Sequence, residues 1–301
     1  MGCTRLGVSF VLSFWMVSAV VIGASLAPSR TADAWSNGGY SWDPLDPDYG
    51  THDWIAETAL AIQARDASFL TGDILVRFLL GTEAPDNDEY IGDHDEHHVY
   101  YYATGAVQDD AAASRAQDMY DLALLADLED RPADTAYYLG AMAHYISDVG
   151  VFGHTMGAVT VWGYEEHHTD YEEEFESILD SLERPTDMTL SNLSAYDAAL
   201  GLAKDITFGV GLIEANTWMD DNYNWSDSVF VASAMASLHA SVYSVAAAID
   251  HFLWEVDAPA SEDTADGAET TDDGGGNSAL YLGAAAAFVI AVIVYLTRRI
   301  S

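Results

Sequence analysis

Histidines and acids crowd one stretch of this 301-residue chain with the spacing that metal ligands use. Eight of the ten histidines lie between His52 and His168, most with an Asp or Glu a few positions away. The sharpest group is HYISDVGVFGH at 144–154. In a helix His144 and Asp148 stand one turn apart on one face, so imidazole and carboxylate can reach the same ion. Gly150 and Gly153 then end the helix and let the chain double back, carrying His154 towards that place. HTDYE at 168–172 repeats the pairing with His168 and Glu172. Either pair alone is more often a surface contact between a histidine and an acid. Both pairs beside His154, with His52 upstream and HDEHH at 94–98, favour a metal site, and two pairs suggest more than one ion.

The elements that must position these groups are helical. Apolar residues recur at three and four in Ile55, Leu60 and Ile62 and again in Phe69, Ile74, Leu75, Phe78 and Leu79. Further helices are expected near 108–128, 133–149, 168–183, 195–218 and 227–256, the last two Ala-rich and apolar enough to be central. Pro132 and Asp134 make a start for the helix at 133–149, and Gly150 with Gly153 an end. No run shows the alternation and turn chemistry of a sheet. The expected fold is all-α, a single multi-helix domain over 35–257. Neither a phosphate-binding Gly-rich loop nor a Gly-x-Ser-x-Gly elbow is present.

The two ends read as addresses rather than fold. Residues 1–34 carry Arg5, an apolar run from Leu6 to Leu26 and the small-residue ending Ala32-Asp33-Ala34, the pattern of a cleaved export signal that would expose Trp35. An uncleaved membrane helix is the alternative. Cys3, the only cysteine, lies in that segment, so the mature chain has no thiolate ligand. Residues 258–278 are rich in Asp, Glu, Thr and Gly with no aromatic residue and read as a solvated linker. The uncharged segment 279–297 is long enough to span a bilayer core of roughly 30 Å, and the short tail 298–301 begins with Arg298 and Arg299. Basic residues stay cytoplasmic, so the domain is expected outside the cell, anchored in its own membrane by a C-terminal transmembrane helix.

Charge narrows the function classes. The chain holds 49 acids against 10 basic residues, and 35–278 has 48 acids against six, with Lys204 its one lysine. Such a surface excludes duplex nucleic-acid binding by charge. It would repel itself in dilute buffer but is tolerable where salt shortens screening to roughly 3 Å at 1 M; we read it as halophilic.

These motifs resemble the zinc-dependent phospholipase C family, which shares its fold with the single-strand-specific zinc nucleases. The resemblance covers most of 35–257. A mature N-terminal tryptophan matches Trp35, and a His leading a helix matches THDWIAETAL at 51–60, nominating His52. An Asp after a Gly-containing helix end matches GTEAPDND at 81–88, nominating Asp86. A His before an aromatic cluster matches HHVYYY at 97–102, where His98 is preferred and His97 is the alternative by one residue. His144, Tyr145, Asp148 and His154 fit the central motif, and His168, Tyr171 and Glu172 the last.

The resemblance implies three zinc ions: one on Trp35, His52 and Asp148, one on Asp86, His98, His144 and Asp148, and one on His154, His168 and Glu172. Asp148 would bridge the first two, and Asp86 would also serve as the catalytic proton acceptor. His94, His167, His239 and His251 are left as structural or surface residues. Zinc lowers the pKa of a bound water from about 16 to roughly 7, and local cations offset the distant acidic surface for an anionic substrate. Two departures from the family pattern stand out, the first bearing on substrate and the second on the turn of the central motif. Ser36-Asn37-Gly38-Gly39 offers no acid for choline, and Val151-Phe152 replaces the usual Gln-Pro. The expected function is therefore phospholipase C-like hydrolysis of a phospholipid or other phosphodiester. An extracellular zinc nuclease and a non-catalytic, zinc-stabilised surface protein are the alternatives.

Overall fold

A computed structural model describes residues 49–257 except 64 and 187–189. The expected signal segment, Trp35, the acidic linker, the transmembrane segment and the tail lie outside the described residues. Within them the chain is all-α: α1 Thr51–Ala61, α2 Asp73–Glu83, α3 Ala111–Leu128, α4 Pro132–Asp148, α5 His168–Ile178, α6 Ala195–Phe208, α7 Asn216–Asp221 and α8 Ser228–Asp257. Two short strands, β1 Tyr100–Tyr101 and β2 Val107–Asp109, pair antiparallel. That hairpin was not expected; its few residues are too short to register as a sheet pattern.

Local signals set the boundaries. Pro132 opens α4 at a position where its missing N–H costs nothing. Ser194 caps α6, its Oγ accepting from the Asp197 amide at 3.1 Å. The single helix expected over 195–218 is in fact two, because Gly209 adopts φ +76° and turns the chain out of α6 before α7 starts.

α4 is the central element. Its residues from Leu139 to Asp148 are all buried, with α2 and α3 packed along it and α8 crossing it as well. α8 also covers α1 and α6. By length and composition alone α8 could cross a membrane, but most of it is buried inside the domain, where Leu238, Val242, Val245, Ile249 and Phe252 are core residues. It is a core helix of this domain, distinct from the expected anchor further along the chain.

The α2–α4 approach is backbone against backbone. A Cβ at Gly140 would fall 2.0 Å from the Phe78 carbonyl oxygen, and one at Gly81 would fall 2.1 Å from that of Tyr137. Neither obstacle is a side chain that could swing away. Gly140→Ala should therefore destabilise the domain by about 3 kcal/mol through forced separation of the helices. Thermal unfolding followed by circular dichroism would show this as a midpoint lowered by roughly 6–12 °C, with helical content retained at low temperature.

Candidate metal centre

α1, the turn after α2, the segment entering β1 and the C-terminal half of α4 converge on Asp148, whose side chain has no exposure. Its Oδ1 lies 3.2 Å from His52 Nε2. Its Oδ2 lies 2.7 Å from His97 Nδ1 and 3.0 Å from His144 Nε2. Asp86, beyond the end of α2, sets its Oδ1 3.4 Å from His97 Nδ1 and 3.6 Å from His144 Nε2. These atoms form two overlapping donor groups, His52 with His144 and Asp148, and Asp86 with His97 and His144.

Neighbouring groups fix which nitrogen faces the centre. The Thr82 carbonyl accepts from His144 Nδ1–H at 2.6 Å. Ser147 Oγ donates to the His144 carbonyl and so accepts from His52 Nδ1–H at 2.9 Å. Both rings thereby turn Nε2, with its lone pair, towards Asp148, which is the tautomer a metal ligand needs.

A third group stands beside these two. His154, in a 3-10 turn over Phe152–Thr155, meets His168 and Glu172 from the first turn of α5. The two Nε2 atoms are 3.1 Å apart, and Glu172 Oε1 is 2.7 Å from that of His168. The His97 and His154 rings lie 6.4 Å apart, so the three groups make one centre.

Of the residues nominated from sequence, His52, Asp86, His144, Asp148, His154, His168 and Glu172 come together here. Trp35 lies outside the described residues. His98 does not join them: its Nε2 points to Asp109 Oδ2 at 3.4 Å and its ring stacks on Tyr100. His97 takes its place. The reason is the pleat, since the chain is extended here and side chains alternate: His97, Val99 and Tyr101 are buried while His98, Tyr100 and Tyr102 turn outward.

Other contributors carried weaker signals. Glu165 reaches His168 Nδ1 at 3.5 Å, an i, i+3 contact legible only with the helix start known. Asp220, on α7, accepts from the amides of Glu166 and His167 and sits 3.1 Å from His167 Nδ1, pinning the start of α5. Nothing in the sequence around Asp220 points to that contact.

The donor chemistry fits cations. Both oxygens of Asp148, Oε1 of Glu172 and Nε2 of His52 are buried without a hydrogen-bond partner, an expensive arrangement unless a positive charge is shared among them. Protons otherwise supply part of it. Burial opposes the charged form of His144, but Asp148 and Asp86 outweigh it and raise the pKa to about 9. Burial is likewise overcome at His168, where Glu172 and Glu165 raise it to about 10. Asp148 is held well below the carboxylate range despite burial, chiefly by His144 and His97. Burial pushes Glu172 up to about 7, and burial together with neighbouring His144 lowers His52.

No protein-family model matches this chain, and no curated protein matches it. Solved structures share its fold, two clostridial alpha-toxins among them. Alpha-toxin of Clostridium perfringens, from an avian strain, aligns with TM-score 0.54 at 17% identity, covering 74% of this chain and 66% of the toxin. Alpha-toxin from Clostridium absonum aligns with TM-score 0.51 at 20% identity, covering 72% and 66%. This chain thus spans just under two thirds of either toxin, and at these identities the likeness is one of fold.

Two outcomes test the centre. Since His144 and His168 are raised above their ordinary 6.5, each stabilises the ion-free domain fully below that pH and loses this as pH rises through about 9 and about 10. With chelator, the thermal midpoint should fall between about pH 7 and pH 10; with excess zinc, which replaces the protons, the fall should disappear. Gly153 is needed because a Cβ there would lie 2.6 Å from the His168 ring. Gly153→Ala should displace the His168 ring and disrupt the His154 group while leaving the two groups that share His144 intact, read as a lower zinc content per chain by elemental analysis.

Proposed function

We propose that this chain is a zinc-dependent phosphodiester hydrolase of the phospholipase C type. The observation that carries this reading is Asp148, one buried carboxylate whose two oxygens face separate sets of ring nitrogens, with a His-His-Glu group alongside. The sequence resemblance and the alpha-toxin fold support the same family at the level of fold. The mature amine of Trp35 would complete the ligand set.

Zinc, when bound, supplies activation of a water and neutralises charge developing on phosphoryl oxygens. The residues do the rest. Asp148 turns Oδ1 to His52 and Oδ2 to His97 and His144, and Thr82 and Ser147 keep the imidazoles from rotating. Asp86 stands between His97 and His144 with its side chain 3% exposed, placed to accept a proton from an attacking water. His154, His168 and Glu172 would hold positive charge against the phosphoryl or leaving oxygen. The reading extends to location: an exported domain, tethered by 258–278 to a helix over 279–297.

Incubation of zinc-loaded protein at high salt with phospholipid vesicles and, separately, with single-stranded DNA tests the reaction. Release of a phosphorylated head group is expected. Cleavage of DNA alone would turn the assignment to the nuclease branch, and no turnover with zinc bound would leave a zinc-stabilised surface protein. Asp148→Asn, whose neutral amide bridges cations poorly, should cost two ions together and at least about a hundredfold in turnover. One extra residue ahead of Trp35 should also abolish activity, by removing the free amine; an unaffected rate would exclude that ligand.

A further inference from the structure

Two hairpins with uncharged tips spring directly from the candidate ligands. The first, β1–β2, follows His97 by way of Val99, whose amide donates to the His154 carbonyl at 3.1 Å. The second lies between His154 and His168: Gly157 and Gly163 pair antiparallel, and the Thr160 amide donates to the Gly157 carbonyl. Their tips are clipped side by side. Gln108 Nε2 donates to the Val159 carbonyl at 2.9 Å, and Trp162 Nε1 to the Tyr101 carbonyl at 2.9 Å.

This pair of tips exposes apolar side chains at a density uncommon on so acidic a domain. Val159 is 72% exposed, Val161 65% and Tyr164 76%, with Tyr102 at 49% and Val107 at 40% beside them. Residues 99–108 and 155–164 contain no Asp, Glu, Lys or Arg, although a fifth of the whole chain is charged. Contiguous apolar surface of this kind marks an interaction site.

We infer that the two tips form a ridge that enters the interface of a phospholipid bilayer and presents the metal centre to the head groups. The inference rests on the phospholipase reading and names how that site meets its substrate. Charge selects the occupant. A domain with 48 acids against six basic residues over 35–278 is repelled by an anionic bilayer surface, and the ridge is where that repulsion is relieved. Val159 and Val161 enter the acyl boundary, while Tyr102 and Tyr164 suit the head-group level, being apolar bodies with one polar atom. A nucleic-acid strand would need cations along its path, and the ridge has none.

The test uses full-length protein whose own anchor is occupied in a nanodisc, at high salt, with separate vesicles of equal parts phosphatidylcholine and phosphatidylglycerol. In a Cys3→Ser background, an environment-sensitive dye is placed at Val161→Cys or, as a control, at Leu128→Cys, since Leu128 on α3 is 84% exposed. Vesicles should shift the emission at position 161 to the blue, and spin-labelled lipid should quench it; position 128 should not respond. Val159→Asp with Val161→Asp should weaken vesicle binding tenfold or more and lower the ratio of vesicle hydrolysis to hydrolysis of soluble bis(p-nitrophenyl) phosphate by a similar factor. An unresponsive dye at 161, an equal response at 128, or an unchanged ratio would overturn the ridge. A shift that needs no vesicles and grows with protein concentration would assign it to a second copy of the chain and overturn it too. Vesicle binding through the ridge without hydrolysis of either diester would leave the ridge standing and remove the phospholipase reading instead.

Discussion

An ionised carboxylate taken fully out of water costs several kcal/mol unless positive charge and hydrogen bonds meet it. Asp148 has no exposure and is held in its charged form. Its compensation comes from three imidazoles delivered by three different segments: His52 at the start of α1, His97 ahead of β1 and His144 one turn back on α4. The interior can be organised around such a charge only if those segments are fixed to within a fraction of an ångström. Much of the buried polar structure does that work.

The fixing is a chain of short hydrogen bonds between helices. Thr82, near the end of α2, lends its carbonyl to His144 and contacts Asp53 Oδ1 through its hydroxyl at 2.9 Å. Asp53, adjacent to His52, in turn accepts from the Gly50 amide just ahead of α1. Burial pushes the Asp53 carboxyl up to about 8, against that amide bond, which favours the ionised form. Ser147 closes the circuit between His52 and α4. α1, α2 and α4 are therefore tied together at the height of the ligands, and the glycine contact between α2 and α4 lets them come close enough for the ties to form. Around the third group the same task falls to Glu165 and Asp220, and the absence of a side chain at Gly153 leaves room for the His168 ring.

Electrostatics divides the molecule into an acidic exterior, a buried centre that demands cations, and an uncharged ridge at the centre's edge. The exterior field is screened within a few ångströms in concentrated salt, whereas the centre, shielded from solvent, is screened far less. The potential inside the centre is thus set by whatever charge the centre itself holds. The same hairpins that carry His97, His154 and His168 at their bases raise apolar side chains at their tips, so ligand geometry and surface chemistry are set by the same short stretches of chain.

By itself the sequence determined the class of fold and most of the donors, because both are local properties. Helical periodicity placed α3, α4, α5 and α8 nearly where they are, and i, i+4 spacing joined His144 to Asp148 and His168 to Glu172 without reference to anything distant. It placed one helix where Gly209 and Gly211 make two, since glycines inside an apolar run signal a break only through their φ. The choice between His97 and His98 turned on which face of one extended segment looks inward, and adjacent residues of the same type carry no mark of that. The tertiary structure decided it, as it decided that Thr82, Ser147 and Asp220 fix the candidate donors and that two unremarkable loops lie side by side. Such contacts join residues tens of positions apart, and only packing around a common buried charge brings them together.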